Sequence, residues 1–347
     1  MASSVTVPPA PGDTDRASPG LAPRVLRGTL DAFLRRREAS VLIVAIGVMI
    51  YFQTQTSIFL TEGNLRNIAQ ATGPTAIVAA GIVLLLVSGE IDVSVGIVAA
   101  LTPFLMHFAI DWYSIPAIPA IIIALLLSAG IGFVNGFISI VLKVPSFVTT
   151  LGMFYLLFGA LLLLSRAYPA PIPEPTKGTI QSWLGAGDWS SIIWCLIIIA
   201  VFHIVLTRTR WGLHTIAVGG NLLGAAEAGV RVNRIKIGNF MIASALGGFA
   251  GVLEAFRINS IDPNIGGGTR ITFTAIAAAV IGGTALAGGS GTIIGALIGM
   301  LVLAELTNGF NLLGVNANTI FLVQGIAILL SMIANQYLSR LRRTGRT

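Results

Sequence analysis

Charge is what this sequence has least of. Only 10% of its 347 residues are Asp, Glu, Lys or Arg, against 55% that are hydrophobic, and a chain so apolar cannot dress a water-soluble globule in polar side chains. Cysteine is nearly absent. Cys195 stands alone in the run SIIWCLIIIAVF, which excludes a disulfide framework and a CxxC metal site and leaves packing as its role. The three histidines, His107, His203 and His214, lack metal-ligand spacing, and there is no aspartate-rich cluster of the kind that holds magnesium-pyrophosphate. No metal site, catalytic residue or cofactor is therefore assigned to the chain. A GxxxxGK[ST] phosphate loop is also missing, so the chain by itself is not expected to hydrolyse ATP.

What the sequence has in abundance is long apolar runs. A span needs about 20 mostly apolar residues to cross ~30 Å of hydrocarbon, and such runs fill 39–59, 69–88, 91–110, 115–141, 146–165, 190–207, 237–256, 271–286, 291–313 and 318–338. The expected fold is all-α and polytopic, with about ten transmembrane helices. A disordered, basic cytoplasmic tail (1–38) precedes the membrane domain (39–338), and a short basic cytoplasmic C-terminus (339–347) follows it; the tail has no apolar core that would mark a cleaved signal peptide. With both termini cytoplasmic, 16 of the 21 Lys and Arg residues fall on the cytoplasmic side, as the positive-inside rule requires. The net charge of +7 is then a topology signal, and no nucleic-acid partner is implied. Two pairs of runs, 69–110 and 271–313, are separated by such short breaks that each could also be one broken element, which would move the C-terminus to the other side; the arginines of SRLRRTGRT argue against that.

Proline and glycine punctuate the oil. Four prolines in 165–190 forbid a regular span there and suggest an external loop, with a short interfacial helix near Gln181 to Leu184 that places Trp183 and Trp189 at headgroup level. Gly291, Gly295 and Gly299, Gly247 with Gly251, and Gly132 with Gly136 recur every four residues, giving smooth faces for close helix approach. Residues 75–96 align without gaps to 274–295 with eight identities in 22 positions, most of them Ala or Gly.

Two polar stretches invite a role. In VSGEIDVSVG, 87–96, two acids interrupt the oil: Glu90 and Asp92, with Ser94 beside them, either line a translocation path or brace a helix break, and Asp92 is also placed to cap a helix starting at Val93. The second stretch is 207–240. There Leu222 to Ala228 reads as a short helix with small residues at Ala225, Ala226 and Ala228, ended by Gly229 where a left-handed cap is favoured, a shape suited to a groove in another protein.

Four ordered blocks carry a resemblance: SGEIDVSVG, GFVNGFISIVLKVPSFVTTLG, AVGGNLLGAAEAGVRVNRIK and AIAAAVIGGTALAGGSGTIIGALIGMLVLAELTNGFNLLG. From about residue 60 onward the chain resembles the permease subunits of bacterial ABC importers for monosaccharides, of ribose, xylose and galactose type, and is closest to the xylose type in having Glu90 before Ile-Asp. The resemblance implies a multi-pass subunit of the inner, cytoplasmic membrane, paired with a second permease copy. Two cytosolic ATP-binding subunits, or one duplicated chain, would bring ATP and Mg, and a periplasmic or extracellular sugar-binding protein would deliver a pentose or related sugar or polyol. Gly219 to Lys236 then becomes the cytoplasmic coupling loop, with Gly219, Gly220, Asn221, Ala225, Ala226, Gly229 and Arg231 as ATPase-docking positions. Thr272, Phe273 and Thr274 stand where many members carry an acidic residue, and His214 also departs from the pattern.

Candidate path residues are Glu90, Asp92, Ser94, Asn135, Glu305, Asn308 and Asn311, with Gln324 as a further amide. Neutral amides suit a sugar path, and they equally suit hydrogen bonds between helices, worth about 1 kcal/mol or less in membranes. Glu254 and Arg257, three apart, read either as a salt bridge or as a contact for the binding protein. Two competing functions remain: an ion-coupled secondary transporter or channel for a small polar solute, and a membrane-bound transferase, which the missing metal cluster disfavours.

Overall fold

The computed structural model describes residues 37–264 and 269–344. The expected tail lies outside these residues apart from its last two positions, as do 345–347 of the basic C-terminus. Among the described residues the chain is helical, without a strand; a single antiparallel bridge joins Ala170 and Ile261.

Every predicted apolar run falls on a helix. The first five are α1 (Arg37–Gln55), α2 (Glu62–Val87), α3 (Val95–Tyr113), α4 (Ala117–Ile140) and α5 (Ser146–Ser165). After a loop with helical turns over 179–186 come α6 (Ser190–Arg208), the surface helices α7 (Arg210–Gly220) and α8 (Leu222–Glu227), and then α9 (Val232–Ile258). The chain ends with α10 (Thr269–Ile281), α11 (Ile293–Leu312) and α12 (Ala317–Thr344). Eight of these helices are long and apolar enough to cross a membrane, and two further regions, Thr269–Ile281 and Asn318–Leu330, hold shorter apolar helices. The protein is a multi-pass, all-α membrane protein.

Boundaries differ from hydropathy for local reasons. The run expected at 91–110 becomes helical only at Val95, because Ser88 to Ser94 form a break in which Gly89 takes φ +81°. The run expected at 271–286 stops at Ile281, where Gly283, Gly288 and Gly289 all take positive φ and turn the chain over 282–292. α2 starts seven residues before its predicted run and α9 five before, since hydropathy marks only the part of a helix that lies in oil.

α2 is the axis of the bundle: every side chain from Ala76 to Val87 is buried. The contacts of α2 and α3 with α9 give the direction of each helix. Gly81 packs on Ala243, and Asn239 Nδ2 donates to the Leu84 carbonyl at 3.4 Å, so α2 runs antiparallel to α9; Gly247 meets Val95 and Gly251 meets Ala99, so α3 runs parallel to it. α2 and α3 are therefore two antiparallel helices on either side of the break, not one interrupted span. Likewise Gly282 faces Gly295 and Ala278 faces Gly299, which makes α10 and α11 antiparallel.

These contacts explain the glycine spacing. A methyl group on Gly132 would overlap the Phe240 carbonyl, one on Gly251 the Ala99 carbonyl, and one on Gly299 the Ala278 carbonyl. Lipid tails are as apolar as leucine, so close backbone approach rather than apolar burial holds such helices together. Lys143, Arg208, Arg210, Arg231, Arg234 and Lys236 all lie at the end of the bundle where α4 and α6 finish and α9 begins, called below the basic end.

Candidate functional site

Three structures hold the residues singled out by sequence: the break between α2 and α3, a cavity toward the opposite end of the bundle, and the surface helices α7 and α8.

The break at the basic end is held from four sides. Glu90 reaches Lys236 in the first turn of α9 at 2.5 Å, both side chains 12% exposed. Asp92 is fully buried; its Oδ1 accepts from the Ser94 amide (2.7 Å) and hydroxyl (2.6 Å), and Asn135 Nδ2 of α4 donates to Ser94 Oγ (2.9 Å) and Asp92 Oδ2 (3.3 Å). Burial pushes the carboxyl of this loop residue above the ordinary aspartate range, while the bonds from Ser94 and Asn135 pull it down. Thr150 Oγ1 of α5 accepts from the Val93 amide at 3.1 Å. Thr272 of α10 closes the arrangement: its hydroxyl accepts from Gly96 N at 2.9 Å and donates to the Val93 carbonyl at 3.2 Å.

That geometry corrects one expectation. Asp92 does not cap a helix starting at Val93: α3 begins at Val95, Ser94 is its cap position but its hydroxyl accepts from none of the helix's own amides, and Asp92 instead fixes the Ser94 amide one residue earlier. The free donor at Gly96 is satisfied by Thr272, 176 residues away in sequence. A helix end buried in protein must find such partners, and here a neighbouring helix supplies one.

The cavity is about 480 Å³ and lies between α2, α3, α9, α10, α11 and α12. It runs from Asn67, Arg257, Arg270 and Asn311 at the end opposite the basic one down to Val78 and Ala250 in mid-bundle. Of the predicted path residues, Asn308 and Asn311 line it, as do Gln324, Glu254 and Arg257; Glu90, Asp92, Ser94 and Asn135 sit in the break instead, and Glu305 lines a different cavity. The amides are partly committed to the fold. Asn308 and Asn64 exchange side-chain hydrogen bonds at 2.9 Å, and Gln324 Nε2 donates to Thr307 Oγ1 at 2.7 Å. Glu254 and Arg257 form the pair expected from their spacing, through Nε to Oε2 at 2.8 Å and Nη2 to Oε1 at 2.5 Å. The Arg270 guanidinium lies 5.2 Å from the centre of the Phe321 ring. Asn67 and Asn311 remain exposed to the cavity. Asn67 and Arg270 had drawn no role from sequence: they lie at the ends of apolar runs, where a polar residue carries no signal of its own.

At the basic end, α8 is built by its own caps. Asn221 Oδ1 accepts from Gly224 N at 2.9 Å. Gly229 takes φ +80°, with Val230 N bonded to the Ala225 carbonyl and Gly229 N to the Ala226 carbonyl, both at 3.0 Å, a Schellman closure. The left-handed glycine expected after Ala228 is in place. Ala225 is buried against Val218 and Ile235, whereas Leu222, Leu223, Ala226, Gly229 and Arg231 are exposed. Gly219 turns inward: a methyl there would overlap the Val87 carbonyl, and Gly289 N donates to that same carbonyl at 2.8 Å. One seam thus joins the surface helices, the end of α2 and the glycine loop between α10 and α11.

No group of three or more His, Cys, Asp or Glu suited to a metal occurs among the described residues. Residues 64–332 match the family described as the branched-chain amino acid transport system permease component. Over 319 residues the chain is 35% identical to the xylose/arabinose import permease protein XylH of Sulfolobus acidocaldarius, covering 88% of this chain and 87% of that one. It is 35% identical over 302 residues to the ribose import permease protein RbsC of Escherichia coli K12, covering 86% and 93% respectively. The probable ABC transporter permease protein YphD of the same organism is 34% identical over 317 residues, with 90% and 94% covered. No solved structure matches. With the family pattern running through nearly every membrane helix, the chain belongs to the family of ABC transport-system permease components.

Proposed function

We propose that this chain is the membrane channel of an ATP-driven monosaccharide importer, carrying a pentose such as xylose or ribose, or a related sugar or polyol. The observation that carries the reading is the 35% identity to import permeases for xylose/arabinose and ribose along almost their whole length, joined to a cavity whose largely apolar wall carries the amides of Asn67, Asn308, Asn311 and Gln324 and the hydroxyls of Thr75, Thr274 and Thr307. In this reading the basic end faces the cytoplasm, both termini lie there, and the cavity opens to the outside of the cell membrane, where a binding protein delivers sugar to the rim at Arg257 and Arg270.

The solute descends past Asn311, Asn67 and Gln324, whose hydrogen bonds to hydroxyls are strong enough to guide and weak enough to release. Below them Val78, Ala250 and the packed core of α2 close the way. Opening it is the work of a separate ATPase pair, which brings ATP and Mg and docks on the exposed face of α8 from Gly220 and Asn221 through Ala226 to Gly229 and Arg231. Gly219 and Ala225 lie under that face and carry its movement inward, through Val87 and Gly289, to the end of α2 and the α10–α11 loop. A second copy of the chain completes the channel.

The test is uptake of labelled xylose and ribose into proteoliposomes holding the chain with its ATPase and binding protein. Uptake that requires ATP, both partners and a sealed vesicle is expected. ATP-independent uptake by the chain alone would refute the reading in favour of an ion-coupled carrier.

A further inference from the structure

On the side of α11 turned away from the solute cavity lies a second cavity of about 310 Å³, bounded by α1, α2, α6 and α11. Its walls are apolar, formed by side chains such as Met49, Phe59, Ile68, Ile192, Leu297 and Leu301, with one carboxyl among them, that of Glu305. Glu305 is 1% exposed, and neither of its oxygens has a hydrogen-bond partner. Thr72, the other polar wall residue, gives its hydroxyl proton to the Ile68 carbonyl at 2.7 Å and so offers Glu305 nothing. Among the described residues no cation lines the cavity; Arg66, on the same stretch of α2, is engaged by Glu62 at 3.6 Å and Asp188 at 3.0 Å. Leu65 and Leu196 border it and are 36% and 52% exposed; Leu196 lies within the apolar run of α6 and Leu65 just before that of α2, so the mouth opens on the lipid side of the bundle near the membrane surface.

An acid in such surroundings is costly without a partner and in membranes is found where it has a role. The described residues supply no partner, and the space beside the carboxyl is hollow. Its volume stands at the lower end of the ~300–1,000 Å³ of small-molecule sites, which are likewise apolar with a few placed polar groups. We propose that this cavity binds a small amine-headed amphiphile entering from the bilayer, its apolar body against α1, α6 and α11 and its nitrogen on Glu305. An ammonium brings three donors, enough for both carboxyl oxygens; a hydroxyl satisfies one oxygen, and an anionic head group brings no donor.

The test uses the full chain in phosphatidylcholine nanodiscs, whose head groups carry no N–H, and two probes, a decylamine bearing a photoactivatable diazirine and the matching decanol. Cross-links mapped by mass spectrometry are expected at Met49, Leu65, Ile192 and Leu297 with the amine. Labelling there should fall about tenfold with the alcohol, a difference of ~1.4 kcal/mol, and should be displaced by unlabelled decylamine but not by decanol. Glu305→Gln should remove the preference for the amine, and Leu297→Trp should block labelling by filling the cavity while Glu305 stays. The amine and alcohol comparison on the unaltered chain stands even where a variant fails to fold. Equal labelling by both probes, or amine labelling spread evenly over the lipid-facing sides of α4 and α5, would overturn the proposal and make the hollow a groove for acyl chains.

Discussion

Removing Lys236 asks what Glu90 is for. In the structure the two form a 2.5 Å pair, each 12% exposed, that anchors the break before α3 to the first turn of α9. Exposed pairs contribute ~0–1 kcal/mol, and losing one partner of a buried pair costs ~3–5 kcal/mol because the other charge is left stranded. At this exposure, Lys236→Met should cost about 2–4 kcal/mol, between those limits. Glu90→Gln should cost less, since the amide still accepts one bond from the ammonium. The double variant Glu90→Gln/Lys236→Met should recover most of the loss, with a coupling energy of about 1–3 kcal/mol. Thermal unfolding in nanodiscs gives the stability ranking, and sugar uptake in proteoliposomes gives the function. Uptake should follow stability across the three variants. If Glu90→Gln abolished uptake at full stability while Lys236→Met transported normally, Glu90 would be a solute contact and the bracing argument would fail.

Other positions test the remaining links. Gly219→Ala pushes a methyl into the Val87 carbonyl and the Gly289 amide; overpacking of this kind costs ~1–3 kcal/mol, and ATPase activity should uncouple from uptake before the complex dissociates, as measured by ATP turnover per sugar imported. Gly229 has open space around it but a left-handed backbone, so Gly229→Ala should cost ~1–2 kcal/mol locally while retaining the ATPase partner on co-purification. Gly229→Arg carries the same strain and also covers the exposed face proposed for docking, so it should lose the partner; equal retention by both variants would place docking elsewhere. Thr272→Val keeps the shape and leaves the Gly96 amide and Val93 carbonyl without their shared hydroxyl, a loss of ~1–3 kcal/mol in thermal unfolding that Thr272→Ser should restore.

The spans were legible because oil is a stringent solvent: a backbone crossing it must be helical, and its side chains must be apolar for about 20 residues. The glycine repeats were legible for a similar reason, since only small residues permit the approaches made by Gly132, Gly251 and Gly299. The caps of α8 were readable too, because Asn221 and Gly229 act within a few residues of themselves. Illegible were the partners of isolated polar residues. Glu90 and Lys236 are 146 residues apart, and Thr272 reaches Gly96 across 176; no local pattern predicts which helices become neighbours.

By itself, then, the sequence determined the number of apolar runs, their helical state, the segregation of basic residues and the family, all of which depend on composition and short-range spacing. The tertiary structure alone decided the roles within VSGEIDVSVG and along α11. It kept Glu90 and Asp92 off the wall of the 480 Å³ cavity and set them in a clasp, placed Asn308 and Asn311 on that cavity's wall, and turned Glu305 toward a separate apolar hollow. The physical reason is that a polar group's role in hydrocarbon is set by whichever partner lies within about 3 Å, and in a bundle of helices that partner is usually distant in sequence.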